Sequence, residues 1–220
     1  MLGTVYGVAL NYRGRLAELK AVFSQPPHGA PPRTPVLFIK TPNTIIGPDA
    51  PVLIPDGVAT VQPGPALGVV IGRNAHRLTL ADAPGAIAGY AVVNEVSVDE
   101  ISYFRPPIAS KCRDNTCAIG SPTVRDALRD PHALGIRLYI NGALRQIGST
   151  ADLVYSIPEL LVFMSGFMTL RPGDLLITGT PPGRVSVGAG DSLRVEIDGL
   201  GSLENVVATE SSVARREASS

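Results

Sequence analysis

The residues best suited to binding an anionic ligand lie at or near the ends of apolar segments. Lys40 ends the apolar run PVLFIK, and Lys111 and Arg113 follow a proline-rich loop in PPIASKCRD. Thr180 lies in ITGTPPG, where a strand end offers two hydroxyls and exposed backbone amides. If such groups converged, they would bind a substrate that carries two or more carboxylates. Taken singly, each basic residue is equally well explained as surface charge, and TGTPPG as a plain turn.

Other kinds of site have weaker support. The three histidines lie in polar or proline-rich contexts and no GxSxG motif is present, which disfavours a Ser–His–Asp triad. GTPPGRVSVGAG lacks the Lys-Ser/Thr and the following helix of a phosphate-binding loop. Glu95, Asp99 and Glu100 form an acidic cluster in NEVSVDE, which we interpret as a solvated helix start in preference to a Mg²⁺ site.

Composition limits the class of protein. A chain of 220 residues fits one domain of generous size. Its 19 basic and 19 acidic residues balance, so we expect neither nucleic acid nor a membrane surface as a partner. The apolar N-terminal run precedes Arg13 and Arg15, which is the reverse of the charge order in a signal peptide. The spacing of Cys112 and Cys117 matches neither a CxxC motif nor a disulfide framework, so we interpret them as ordinary thiols. These features predict a soluble, cytoplasmic protein with a small-molecule or protein partner.

Short apolar runs separated by glycine and proline predict the elements that must position these groups. Strands are predicted at VYGVAL, PVLFIK, PVLIP, LGVVIG and YAVVNE, and Asn141-Gly142 predicts a type I′ hairpin in IRLYINGALRQI. Helices are predicted at RLAELKAVF, at LTLADAPGAIAG with Thr79 as N-cap, and at PELLVFMS. The last begins at a capping box on Ser156 and ends at Gly166.

Together these elements predict a β-dominated α+β fold with a few short helices. We expect a single domain over residues 1–210 and a disordered tail over residues 211–220. The helix PELLVFMS is apolar on every face, so it should be buried or covered by another subunit.

The ordered motifs of the chain resemble those of the fumarylacetoacetate hydrolase family from about residue 3 to residue 208. The motifs are GVALNYRGRLAE, PVLFIKTPNTIIGP, LGVVIGRNA, IAGYAVVNEVS, SKCRDNTCAIGSP, LYINGALRQ, LRPGDLLITGTPPG and GDSLRVEIDGLGSLEN. FIKTPNTIIG, SYFRPPI, KCRD and STADL are similar to members that act in 4-hydroxyphenylacetate degradation. Those members isomerise 2-hydroxyhepta-2,4-diene-1,7-dioate and decarboxylate 5-oxopent-3-ene-1,2,5-tricarboxylate.

The resemblance implies a mixed β-roll with a β-sandwich-like core, usually dimeric. It also implies a substrate that is an oxo or enol di- or tricarboxylate, and a Mg²⁺ or Mn²⁺ ion that stabilises the enolate formed in the reaction. The implied catalytic residues are Lys111 and Glu18. The implied substrate-binding residues are Lys40, Arg15, Asn94, Arg113, Asp114 and Thr180.

The sequence departs from the family pattern at two places. The positions of the family's metal ligands fall at Gly64, Ala66 and Glu95, which leaves one carboxylate, too few for a Mg²⁺ site in water. The family's His-x-x-Glu proton shuttle falls at Arg15 and Glu18, and an arginine is no general base at neutral pH. We therefore expect no metal bound by this chain and a Mg²⁺ or Mn²⁺ ion in a partner subunit.

Three hypotheses follow. In the first, the chain is the metal-less subunit of the isomerase/decarboxylase and forms a heterodimer with a metal-bearing homologue. In the second, it acts alone, or as a homodimer, as a metal-independent isomerase that uses Lys111. In the third, it is a non-catalytic scaffold or binding protein of the family. The retained Lys40, Lys111 and Thr180 disfavour the third, because the pocket of a pure scaffold would be free to change.

Overall fold

Short β-strands dominate the chain. The computed structural model describes residues 2–26, 28–98 and 106–217, with side chains as far as residue 213. The strands are β1 Val5–Ala9, β2 Val36–Lys40, β3 Ile45–Ile46, β4 Val52–Ile54, β5 Pro65–Ile71, β6 Ile87–Glu95, β7 Cys117–Ile119, β8 Thr123–Val124, β9 Gly135–Ile140, β10 Ala143–Ser149, β11 Leu175–Ile177, β12 Ser192–Ile197 and β13 Gly201–Thr209. The α-helices are α1 Arg13–Glu18, α2 Lys20–Phe23, α3 Ile108–Lys111, α4 Ile157–Ser165 and α5 Glu210–Glu217.

The strands form two sheets. The larger has the order β2-β1-β11-β5-β6-β7-β3, with β8 also paired to β6, and the smaller has the order β10-β9-β12-β13-β4. Both are mixed, since β1–β11, β3–β7 and β4–β13 are parallel and the other pairs antiparallel. This arrangement, with only short helices, confirms the predicted β-dominated α+β class.

The main core lies between the two sheets and helix α4. Alternate residues of β5, namely Leu67, Val69 and Ile71, point into it together with apolar side chains of β6, β9, β12 and β13. The other face of β5 turns Ala66 into a smaller apolar cluster with residues of β1, β6, β7 and β11. Because strand side chains alternate between faces, β5 is buried on both sides, which explains its lack of polar residues.

Locally encoded features are confirmed. Asn141 and Gly142 both have positive φ, 52° and 80°, as a type I′ turn between β9 and β10 requires. Ser156 and Glu159 form the predicted capping box of α4, which ends before Gly166. Helix α4 is mainly buried within the chain itself, and Phe167 just beyond it is exposed.

Two local helix predictions are wrong or incomplete. RLAELKAVF forms two short helices separated at Leu19, and of its apolar residues only Phe23 is buried. LTLADAPGAIAG forms a 3₁₀ turn over Ala83–Ala86 with no helix capped by Thr79, and the proline inside the segment limits its helical hydrogen bonding.

The C-terminal segment differs from a wholly disordered tail, because α5 occupies residues 210–217. The proposed division into a domain over residues 1–210 and a tail stays a prediction. Within the described ranges, none of the helices has the length and apolar character needed to cross a membrane.

Candidate functional site

A cavity of about 340 Å³ opens beside the ends of β1, β6 and β11. Val8, Phe38 and Ile177 form part of an apolar wall. The polar part of the lining contains Arg15, Gln62, Glu95, Lys111, Thr180 and Arg184. The structure therefore brings together four residues predicted from different parts of the sequence: Arg15, Glu95, Lys111 and Thr180.

A buried Lys–Glu–Lys cluster lies at the base of this cavity. Glu95, at the end of β6, accepts from Lys40 Nζ at 3.2 Å through Oε1 and from Lys111 Nζ at 2.8 Å through Oε2. Lys40 also donates to the hydroxyl and carbonyl oxygens of Thr116 and to the carbonyl oxygen of Val96. The side chain of Lys40 is completely buried, and Lys111 faces the cavity.

Lys40 and Lys111 differ in their contacts other than Glu95. Lys40 has several oxygen acceptors, whereas Lys111 has Glu95 and the ring of Phe38, whose centroid lies 4.6 Å from Nζ. Glu95 is 1 % exposed, so the interpretation of its acidic segment as a solvated helix start is wrong for this residue. Asp99 and Glu100 of that segment lie outside the described residues.

The pKa values of Glu95 and Lys111 both lie below their ordinary values, for different reasons. Burial alone would raise the pKa of Glu95, but Lys111, Lys40 and Arg184 together outweigh it and hold that pKa below its ordinary value. Burial lowers the pKa of Lys111, and the nearby Glu95 offsets this only in part, while Arg184 lowers it further. Glu95 is therefore ionised, and the ammonium of Lys111 gives up its proton more easily than that of a surface lysine.

The resemblance assigns the family's metal ligands to Gly64, Ala66 and Glu95, which offer a single carboxylate. A Cβ atom at Gly64 would lie 2.2 Å from the carbonyl oxygen of Glu95 and 2.9 Å from Thr180 Oγ1. Asn94 fixes this close approach, because its Oδ1 accepts from the Gly64 amide at 3.0 Å. Ala66 is fully buried in the smaller apolar cluster.

Both oxygens of the remaining carboxylate, Glu95, are bound by lysines. In the described part of the chain no three His, Cys, Asp or Glu side chains come together to hold a metal ion. Each oxygen of the carboxylate on which a cation would depend thus accepts from a lysine, and the residues that the structure describes around it do not fit a Mg²⁺ or Mn²⁺ site.

The loop after β11 carries Thr180 and Arg184 into the cavity. Gly179 has φ 114°, a conformation that glycine alone adopts readily, and a Cβ there would lie 3.1 Å from the carbonyl oxygen of Val8. The buried Gln146 of β10 donates through Nε2 to the carbonyl oxygens of Pro181 at 2.8 Å and Pro182 at 2.9 Å. The loop is thus tied to a side chain of the other sheet.

Glu18, predicted as catalytic, is not in the described lining of the cavity and contacts Arg15, which is. Its Oε2 pairs with Arg15 at 2.8 Å, and its Oε1 accepts from the Gly183 amide at 3.1 Å. Glu18 is partly exposed, and its hydrogen bond from Gly183 holds the loop after β11 against α1. The Arg–Glu combination that replaces a His–Glu pair therefore forms an ion pair beside the cavity mouth.

The remaining predicted site residues lie elsewhere. Arg113 is exposed and donates to the carbonyl oxygen of Ala109, and Asp114 accepts from Asn43. Asn94 accepts a hydrogen bond from the backbone amide of Gly64. Lys40 donates to the Glu95 carboxylate from a position outside the cavity. None of these four is in the described lining of the cavity.

Sequence reasoning missed Gln62, Phe38 and Arg184. Gln62 is the polar residue nearest the apolar stretch PGPALGVVIG, and Arg184 follows TGTPPG directly. Their positions next to two recognised motifs were the available signal. The resulting cavity has an apolar wall, three cationic side chains and one carboxylate, an arrangement that favours an organic anion with a short carbon chain.

Comparison with known proteins agrees with this chemistry. The family model described as fumarylacetoacetate (FAA) hydrolase C-terminal matches residues 4–208. The 4-hydroxyphenylacetate degradation bifunctional isomerase/decarboxylase of Salmonella dublin is 43% identical over 217 residues, which are 99% of this chain and 50% of the relative. The chain thus spans half the length of this curated relative.

Solved structures share the fold. A 2-hydroxyhepta-2,4-diene-1,7-dioate isomerase from Mycobacterium marinum superposes with a TM-score of 0.79 at 30% identity, over 95% of this chain and 75% of that one. A fumarylpyruvate hydrolase from Pseudomonas aeruginosa, in complex with Mn²⁺ and pyruvate, has a TM-score of 0.82 at 27% identity, over 95% and 91% of the two chains.

Proposed function

We propose that this chain, which belongs to the fumarylacetoacetate hydrolase family, is a metal-less subunit of an isomerase/decarboxylase of aromatic catabolism. Its substrates would be 2-hydroxyhepta-2,4-diene-1,7-dioate and 5-oxopent-3-ene-1,2,5-tricarboxylate. A homologous partner subunit would supply the Mg²⁺ or Mn²⁺ ion. The observation that carries this proposal is a cationic cavity whose carboxylate is bound by two lysines in place of a metal ion.

Two further observations support it. The chain matches half the length of the Salmonella dublin relative, so that protein has as much sequence again in which a second site could lie. Arg15 and Thr180, predicted to bind the substrate, and Lys111, predicted to be catalytic, line one cavity in this structure. The cavity would bind the carboxylates of the substrate while the partner's metal polarises its oxo group.

The test is to express the chain alone and together with a metal-bearing homologue from the same genome. Isothermal titration of Mg²⁺ into the isolated chain should give no binding heat at micromolar concentrations, and decarboxylation should appear only with the mixture. A clear Mg²⁺ isotherm for the chain alone would contradict the proposal.

A matched pair of lysine variants separates a catalytic subunit from a scaffold. Lys111→Met removes the amine that faces the cavity, whereas Lys20→Met removes an exposed lysine of α2. If this chain's cavity takes part in turnover, the first variant lowers the activity of the mixed complex and the second does not. Equal activity of both complexes would favour the scaffold hypothesis.

One observation favours a second candidate, a metal-independent isomerase. The lowered pKa of Lys111, caused chiefly by burial, suits an amine that helps to move a proton from the hydroxyl group of a dienol to one of its carbons. Isomerisation by the isolated chain in excess chelator, lost in Lys111→Met, would select this candidate over the metal-dependent complex.

A further inference from the structure

Arg184 lines the cavity and makes few hydrogen bonds to the described residues. Its Nη1 donates to Ser97 Oγ at 3.2 Å, which is the hydrogen-bond partner that the described residues give it. A guanidinium has five N–H donors in a planar fork that matches a carboxylate. As far as the described residues go, most of these donors are therefore available to a ligand in the cavity that Arg184 lines.

Charge balance indicates what kind of ligand. Arg15 is neutralised by Glu18 at the rim, and Lys40 is neutralised by Glu95 beneath the floor. Lys111 shares the same Glu95, so the described site has two more cations than carboxylates: one on the lysine pair and one on Arg184. A ligand with two negative charges would balance this surplus.

The loop that carries Arg184 is held in place before any ligand binds. Gln146 donates to two successive carbonyl oxygens, those of Pro181 and Pro182, and Glu18 accepts from the Gly183 amide. Gln146 is 5 % exposed, so its hydrogen bonds to the loop are shielded from water. A guanidinium held by such a loop loses little freedom when it pairs with a carboxylate.

We propose that Arg184 is the specificity-determining residue of the cavity and binds the second carboxylate of a dicarboxylate ligand. The first carboxylate and the neighbouring oxo or enol oxygen lie against Lys111 and Thr180, and Gln146 is a positioning residue for Arg184. The assignment rests on the proposed function in one respect, which is that the ligand is an oxo or enol acid.

The test uses two ligands that differ only in the second carboxylate, 2-oxoglutarate and 2-oxopentanoate. Binding of each to the full isolated chain is measured by isothermal titration, so no partner subunit is needed. The wild type should bind 2-oxoglutarate about ten- to a hundredfold more tightly, as a charge-assisted hydrogen-bonded pair implies. In Arg184→Met the ratio should fall to within about twofold, with 2-oxopentanoate affinity unchanged.

Three further variants complete the design. Arg184→Lys keeps the positive charge but loses the planar guanidinium that can donate two hydrogen bonds to one carboxylate. Its affinity ratio between the two ligands should therefore be intermediate. Arg33→Met removes an exposed arginine and should leave the ratio at the wild-type value. Gln146→Leu should lower the ratio without abolishing it, because the guanidinium remains but its loop is released.

Each outcome decides the inference. A ratio that survives in Arg184→Met, or a wild type that binds neither ligand, overturns it. Retained binding of 2-oxopentanoate shows that the variant is folded, so a lost ratio is specific support. The proposed function fails separately, through absence of turnover in the mixed complex, whatever the binding ratio is.

Discussion

Replacing Glu95 with glutamine should destabilise this protein far more than removing a surface carboxylate. The side chains of Lys40, Glu95 and Lys111 are 0%, 2% and 4% exposed, so the variant would leave two ammonium groups buried without their shared anion. Breaking a buried ion pair from one side costs about 3–5 kcal/mol. The matched control is Asp126→Asn, whose side chain is 83% exposed and whose ion pair with Arg125 is screened by solvent, so its loss should change stability little.

The pH dependence of this difference follows from the direction of the pKa shifts. The folded pKa of Glu95 lies below its ordinary value of 4.5, so its stabilising effect is complete above that value and is lost as the pH falls through the folded pKa. The difference between wild type and Glu95→Gln should therefore shrink in acid. In the variant, the pKa of Lys111 falls further below 10.5, so the variant should gain stability as the pH rises towards that value.

The chain has no tryptophan, so unfolding in urea is best followed by far-UV circular dichroism across a pH series. At neutral pH the midpoint for Glu95→Gln should fall well below those of the wild type and Asp126→Asn. A loss no larger than that of Asp126→Asn, or one that does not shrink in acid, would refute the assignment of Glu95 as the anion that holds both lysines.

Three other predictions concern single positions. Gly64→Ala should lower stability by about 1–3 kcal/mol in urea denaturation, because its Cβ would meet a carbonyl oxygen at 2.2 Å, whereas Gly47→Ala points into open space and should not. Native protein treated with iodoacetamide should be alkylated at Cys112 and not at Cys117, whose pKa burial raises to about 12, as mass spectrometry would detect; equal labelling would contradict the buried position. Ser156→Ala should cost about 1 kcal/mol in the same denaturation assay through loss of the capping box, and an unchanged midpoint would argue against that cap.

The predictable parts of this fold are those encoded by neighbouring residues. Asn141-Gly142 specifies its turn because two positive φ values in succession suit few other residue pairs. The capping box at Ser156 is likewise complete within four residues. RLAELKAVF was mispredicted as one helix because its apolar spacing is helical, yet most of its side chains find no buried surface to pack against.

The candidate site was predictable in part, and chiefly through family resemblance. Lys40 and Glu95 meet because β2 pairs with β1 and β6 with β5, contacts between distant segments that residue spacing does not encode. Residue type and position suggested Lys111 and Thr180, which the resemblance then supported, but also Arg113, whose side chain turns away to a backbone carbonyl. Arg184 was missed because its role depends on the path of the loop after Gly179.

The close approach at Gly64 has an evolutionary consequence. On the alignment that we propose, a return to the family's metal-binding state would need a glutamate where even a methyl group meets the backbone of β6. It would need a second carboxylate at Ala66, inside an apolar cluster, and the release of Glu95 from two lysines. Each change alone is costly and none yields a metal site by itself. Selection acting one substitution at a time would thus meet a loss of stability at each step, and under the proposed function the chain would depend on the partner subunit for its metal.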